Sequence, residues 1–280
     1  MPGLWPIAAL LRRHDRDRYQ TALFAPSARR AGLFAIYAFN YEIARVRDRV
    51  SEPILGRIRL EWWRENIADI FAGGPVRRHE IVAALAETVR RRSLSRTHFE
   101  RLIAAREADL DAPPPASLAA LEDYAEASSA SLVYLALEAL DAPGAAVAAA
   151  AREVGIAYAL AGLIRALPLH ARAGRRYIPD DIAARAGLAP REYERLRSTP
   201  ALRAAVGDIA AAARRRLEAA RERRRAVPRA AQAALLPAVV AGRVLARLGR
   251  AGCDPYAPAL RAADPMQIWA LGLAALLRRY

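Results

Sequence analysis

The chain is expected to be all-α and to form one domain over residues 1–280. Apolar residues recur at three- and four-residue spacing nearly throughout, as a helix with one buried face requires. Alternating strand-like runs bounded by turn residues are hard to find. The breaks between helical patterns are too short and too apolar to serve as domain linkers, and no internal repeat is present. With 280 residues and 54% hydrophobic content, the chain can bury a full core.

Taken in order, Ser27 is placed to cap a helix that runs through Tyr37 to about Val50. Ser51, Glu52 and Pro53 stop it and start the next, with Pro53 in the first turn of a helix containing LEWWREN. Further helices fit residues 81–92, 95–110, 118–140, 145–167, 201–226, 230–248 and 265–279. Glycine and proline mark the breaks at Gly73-Gly74-Pro75, Ala112-Pro113-Pro114-Pro115, Ala142-Pro143-Gly144, Pro168, Pro179 and residues 249–255. Pro168 is expected to end its helix, because proline lacks an N–H and crowds the preceding turn.

The net charge is +15 and every one of the 44 basic residues is arginine. Such a charge raises affinity for anionic surfaces. The arginine clusters at 90–92, 214–216 and 223–225 lie in helical patterns interleaved with glutamate, which reads first as a solvated surface. No zinc-finger spacing, RNP-like motif or helix-turn-helix accompanies them, so no nucleic acid partner is expected and an anionic membrane surface is. Cys253 alone cannot form an internal disulfide, which fits a reducing compartment. The opening MPGLWPIAALL lacks a basic leader, and the uncharged stretch 230–242 falls short of the ~20 residues of a spanning helix and contains Pro237. The expected location is cytoplasmic, or peripheral at the inner membrane.

Two stretches carry the functional signal. In YAFNYEIARVRDRVSEP, starting at Tyr37, a helix would place Tyr37, Tyr41, Ala44 and Asp48 on one face, with Arg45 beside them. In GIAYALAGLIRALPLHARAGRRYIPDD, starting at Gly155, the corresponding stripe is Tyr158, Gly162 and Arg165, followed by His170 and then by Arg175 and Tyr177. These stretches resemble the squalene and phytoene synthase family, whose members read YAF-x-x-x-x-D-D/E-x-x-D in the first. In the second they read G-x-A-x-Q-x-x-N-I-x-R-D-x-x-x-D, followed by Gly-Arg-x-Tyr-(Leu/Ile)-Pro. The frame survives as Gly155, Ala157, Arg165, Gly174, Arg175, Tyr177 and Pro179. The chemistry does not: family carboxylates fall on Ala44, Arg45, Ala166 and His170, and the family asparagine falls on Gly162.

The resemblance implies an isoprenoid-synthase-like helical bundle around a central cavity lined by Tyr37, Tyr41, Arg45, Asp48, Tyr158, Arg165, His170, Arg175 and Tyr177. Family members use the carboxylates to hold magnesium against a prenyl diphosphate. Only Asp48 remains to bind a metal here, and Mg²⁺ wants several oxygen ligands in octahedral array. No catalytic residue and no cofactor are therefore expected, Asp48 and Arg165 being remnants of the motif; magnesium returns only if the chain is a prenyltransferase. A buried Arg165 needs a carboxylate partner, and Asp48 is the expected one. The alternatives are an anion-binding cavity, or an Arg165 that lies elsewhere.

The remaining candidates are weaker. His170 has no companion at metal-ligand spacing and reads as a surface or capping residue. Ser128, Ser129 and Ser131 lack the glycine elbow of a nucleophile and read as small residues that let helices approach. Trp62 and Trp63, beside Arg59 and Arg64, are either a membrane- or partner-facing patch or one core and one half-exposed tryptophan, and Trp5 is a further candidate for apolar insertion.

Within the family, the combination AFNYEIARVRDRVSEPILGRIRLEWWRENIADIF, READLD, LEDYAEASSASLVYLALEAL and RRYIPDDI is similar to the branch containing mitochondrial complex I assembly factor 6 and its bacterial relatives. That resemblance implies a non-catalytic synthase-fold protein whose partners are respiratory complex I subunits or assembly intermediates. The competing readings are a squalene/phytoene-synthase-type prenyltransferase and an isoprenoid- or lipid-binding protein.

Overall fold

The computed structural model describes residues 4–111 and 113–280, and among them there is no strand. The main helices are α1 (Leu4–His14), α2 (Arg16–Ala22), α3 (Ser27–Ala44), α4 (Pro53–Ala72), α5 (Glu80–Arg91), α6 (Arg96–Asp111), α7 (Leu118–Ala125), α8 (Ser131–Ala139) and α9 (Ala145–Arg172). They continue with α10 (Asp180–Arg185), α11 (Pro190–Glu194), α12 (Pro200–Glu222), α13 (Gln232–Leu235), α14 (Pro237–Arg250), α15 (Pro258–Arg261) and α16 (Gln267–Leu277). The all-helical expectation holds.

α9 is the axis of the bundle. Its 28 residues span roughly 42 Å, and its apolar length is buried by α12 and α14 on one side and by α8 on the other. It passes close to its neighbours at Gly155, where a Cβ would lie 2.4 Å from the Cα of Ala130. Ala130 closes a π turn, Glu126–Ala130, that interrupts the expected 118–140 helix and brings Ser128, Ser129 and Ser131 into the interior. Small residues on both sides thus allow backbone contact, as the serine run suggested.

Helix boundaries differ from expectation at two places that matter for the site. α3 ends at Ala44, and the chain turns through a short 3-10 segment, Arg47–Arg49, in which Arg47 donates to the carbonyl of Asp109 at the end of α6. Asp48 therefore leaves the α3 face, and its side chain is 53% exposed. Conversely, α9 runs through Pro168 to Arg172, and the chain turns away just beyond it at Gly174, whose φ of +68° suits glycine. Leu167, Pro168 and Ala171 are all buried, and that packing outweighs the one hydrogen bond that proline removes.

Ser27 begins α3 without capping it, and the expected 230–248 helix bends by 40° around Pro237. The N-terminal helices were not anticipated. α1 packs on α3, and α2, capped by Asp15, inserts between α3 and α14. Trp63 is 5% exposed and meets Phe39 edge-on at 5.4 Å, while half-buried Trp62 packs on Trp63 and His79. One tryptophan is thus core and the other half-exposed, the second of the two expected arrangements. The Trp5 side chain lies outside the described residues.

Candidate functional site

Between the two motif helices stands α2. Its Arg18 pairs with Asp15 at 2.9 Å and lies 4.9 Å above the ring of Tyr158 of α9. On its other side is the buried Tyr37 of α3, whose hydroxyl is pushed up to about 12 by burial. Tyr41 is also buried, stacked on His14 at 5.3 Å and accepting from Arg45. These side chains pack the space between the motif helices, so the nine residues expected around one cavity are divided among this packed centre and two clefts.

The first cleft, about 450 Å³, opens between α2, α9, α14 and α15. Six guanidiniums (Arg16, Arg165, Arg172, Arg243, Arg247, Arg261) line it against two carboxylates, Asp17 and Asp264. Arg165 donates to Asp17 at 2.8 Å, and Asp17 also accepts from Gln267 at 2.8 Å. Burial opposes ionisation of Asp17, but Arg165 and these hydrogen bonds outweigh it and hold the carboxyl below its usual range. Arg243 grips Asp264 through two bonds of 2.6 and 2.8 Å. Arg16, Arg172 and Arg261 make no ion pair among the described residues, and neither does Arg247, which donates to the carbonyls of Ala259 and Ala262. The cleft has the size and charge to hold an anionic group.

The second cleft, about 330 Å³, lies just beyond the C-terminus of α9 between Arg47, Asp109, the Pro113-Pro114-Pro115 run, Arg175 and Tyr177. Asp109 is its buried centre, accepting from Tyr177 at 3.2 Å, from Tyr124 at 3.0 Å and from Arg106 at 3.1 Å. Tyr124 is pushed up to about 12 by burial. His170, expected at the surface or as a capping residue, is half-buried in the last turn of α9, 4.6 Å from the Tyr177 ring; burial and the charge of Arg175 push it down to about 4. It is neutral at pH 7.

Asp48 and Arg165 do not pair. Asp48 meets Arg175 at 2.6 Å, and Arg165 meets Asp17. The physical reason is the early end of α3, which turns Asp48 toward the α9 terminus, while α2 delivers a carboxylate to Arg165. Sequence reasoning missed Arg16, Asp17, Arg172, Arg243, Arg247, Arg261 and Asp109. The spacings Arg165/Arg172 and Arg243/Arg247 place each pair on one helix face and were available as signals. Asp17 was not, because only the fold brings α2 to α9.

A magnesium cluster does not fit this donor set. The one retained motif carboxylate, Asp48, is held by a guanidinium, and Ala44, Arg45, Ala166 and His170 offer no anionic oxygen where the family motif has carboxylates. The Arg175 guanidinium, which already holds Asp48, repels a dication further.

Comparison with known proteins agrees with the frame. The chain is 32% identical over 265 residues to NADH dehydrogenase (ubiquinone) complex I, assembly factor 6, of Homo sapiens, covering 93% of this chain and 79% of that one. A presqualene diphosphate synthase of Rhodopseudomonas palustris is 27% identical over 172 residues, 61% of this chain and 60% of the other. The crystal structure of a dehydrosqualene synthase in complex with ligand superposes with a TM-score of 0.85 at 17% identity, covering 100% and 98% of the two chains, which shows the shared fold. The family model for squalene/phytoene synthase matches residues 11–267, and the chain belongs to that family.

Proposed function

We propose that this chain is a non-catalytic member of the synthase family that acts in the assembly of respiratory complex I. The observation that carries the reading is the conjunction of near full-length similarity to an assembly factor with guanidinium, imidazole and methyl groups at the family's carboxylate positions. Ionising a prenyl diphosphate calls for metal ions to neutralise the leaving group, and this site presents no oxygen cluster to hold them. The partners are complex I subunits or assembly intermediates, met at the inner face of the membrane by a cytoplasmic protein. Deleting the gene is expected to lower assembled complex I, seen on native gels and as NADH oxidation, while carotenoid, hopanoid and quinone pools stay unchanged. Normal complex I with a missing isoprenoid product would restore the prenyltransferase reading.

The arginine cleft favours a second reading, that the protein holds an isoprenoid or lipid phosphate without transforming it. Four guanidiniums free of ion pairs among the described residues, in a cleft of about 450 Å³, suit such a group. Organic extraction of the purified protein checks this. A stoichiometric phospholipid or prenyl phosphate is expected, and its absence under native purification would set the carrier role aside.

A further inference from the structure

The outward face of α16 is apolar and uncovered among the described residues. Leu271 is buried on Leu236 and Val240, and Gln232 donates to the carbonyls of Ala274 and Ala275 at 3.0 and 2.9 Å, fixing the helix in place. On the opposite side Trp269, Leu273 and Leu276 follow helical i, i+4, i+7 spacing and are 71%, 58% and 79% exposed. No charged residue lies between Gln267 and Leu277. At the C-terminal end of the helix, Arg224, Arg225, Arg229 and Arg278 surround a pocket of about 240 Å³ that no Asp or Glu side chain lines among the described residues. Arg229 and Gln232 also border an adjoining groove floored by Phe24, Pro26, Ala233 and Leu276, so the basic pocket opens directly onto apolar surface.

We propose that α16 and this arginine pocket form a docking face for an anionic phospholipid bilayer. Trp269, Leu273 and Leu276 enter the interfacial region, where an indole gains from one apolar and one wet side. The four guanidiniums pair with headgroup phosphates, for which their forked geometry is suited. Charge complementarity selects the occupant: four guanidiniums gather at the C-terminal end of the apolar stripe, and a bilayer offers a continuous anionic layer over hydrocarbon. The proposal adds a membrane partner to the assembly role without depending on it, because lipid binding is measured with no complex I present.

The test is flotation of the full chain with phosphatidylcholine vesicles, with and without phosphatidylglycerol. Binding to the anionic vesicles is expected, weakening as salt screens the arginines. Arg224→Gln with Arg225→Gln should lower the affinity about 30-fold, taking about 1 kcal/mol per basic residue at the surface. Trp269→Ser with Leu273→Ser should abolish binding while leaving the melting temperature and helical content unchanged, since both side chains are exposed. Equal binding to neutral vesicles, or anionic binding indifferent to the Trp269/Leu273 variant, would overturn the proposal. So would a dimer that this variant dissolves without any vesicle binding, which would place a second copy of the chain on the face.

Discussion

Arg165 of α9 donates a 2.8 Å hydrogen bond to Asp17 of α2, across 148 positions of sequence. This contact, not one with Asp48, neutralises the arginine retained from the synthase motif. It also ties α2 to α16 through Gln267, which bonds both Asp17 and Gln20 at 2.8 Å.

Asp17→Asn should therefore cost about 1–2 kcal/mol, a value kept low because Arg165 is 39% exposed. Asp48→Ala should cost no more than about 1 kcal/mol, because its pair with Arg175 is half in solvent. Urea denaturation of the two variants ranks them. A larger loss in Asp48→Ala would contradict the pairing described here.

Glycine substitutions on α9 should have opposite signs. Gly155→Ala sets a methyl 2.4 Å from the Ala130 Cα, against backbone that cannot step aside, and should destabilise by about 1–3 kcal/mol. Gly162→Ala meets nothing within 4 Å and should stabilise the helix by about 0.5–1 kcal/mol. Thermal melts of the two proteins decide this, and loss of stability in both would mean that Gly162 needs its missing side chain for another reason.

His170 makes stability depend on pH. Its pKa falls from 6.5 to about 4 on folding, so between those values the unfolded chain binds the extra proton and stability rises with pH. Stability should drop as pH falls from 6.5 toward 4, by no more than about 3 kcal/mol for this group. His170→Gln should flatten the melting temperature across that window relative to the native chain. An unchanged slope would show that carboxylates alone set it.

Incubation with magnesium and farnesyl or geranylgeranyl diphosphate should yield no squalene-like or phytoene-like product. Substitutions at Ala44, Ala166 and His170 remove the oxygens that would bridge metal to diphosphate. Product formed at a rate comparable to a family synthase, and lost on chelation, would refute the non-catalytic reading.

Local pattern sufficed for the helices long enough to show several turns of apolar spacing, for the close approach of small residues at Gly155 and Ser128 to Ser131, and for the loss of oxygen ligands. Those features depend on residue type at short range. What short-range pattern could not decide was where elements meet. α3 stops at Ala44 because Arg47 finds the end of α6, and α9 survives Pro168 because the turn beyond it is packed. Both outcomes are set by contacts between segments far apart in the chain. The same holds for charge: a lone Asp48 and a lone Arg165 looked complementary, yet each had a competitor, Arg175 and Asp17, that only the folded arrangement brings within reach. Amphipathic spacing likewise could not say that the Trp62 and Trp63 side is covered while the Trp269 side is open, since periodicity defines a face and only tertiary packing supplies, or withholds, its partner.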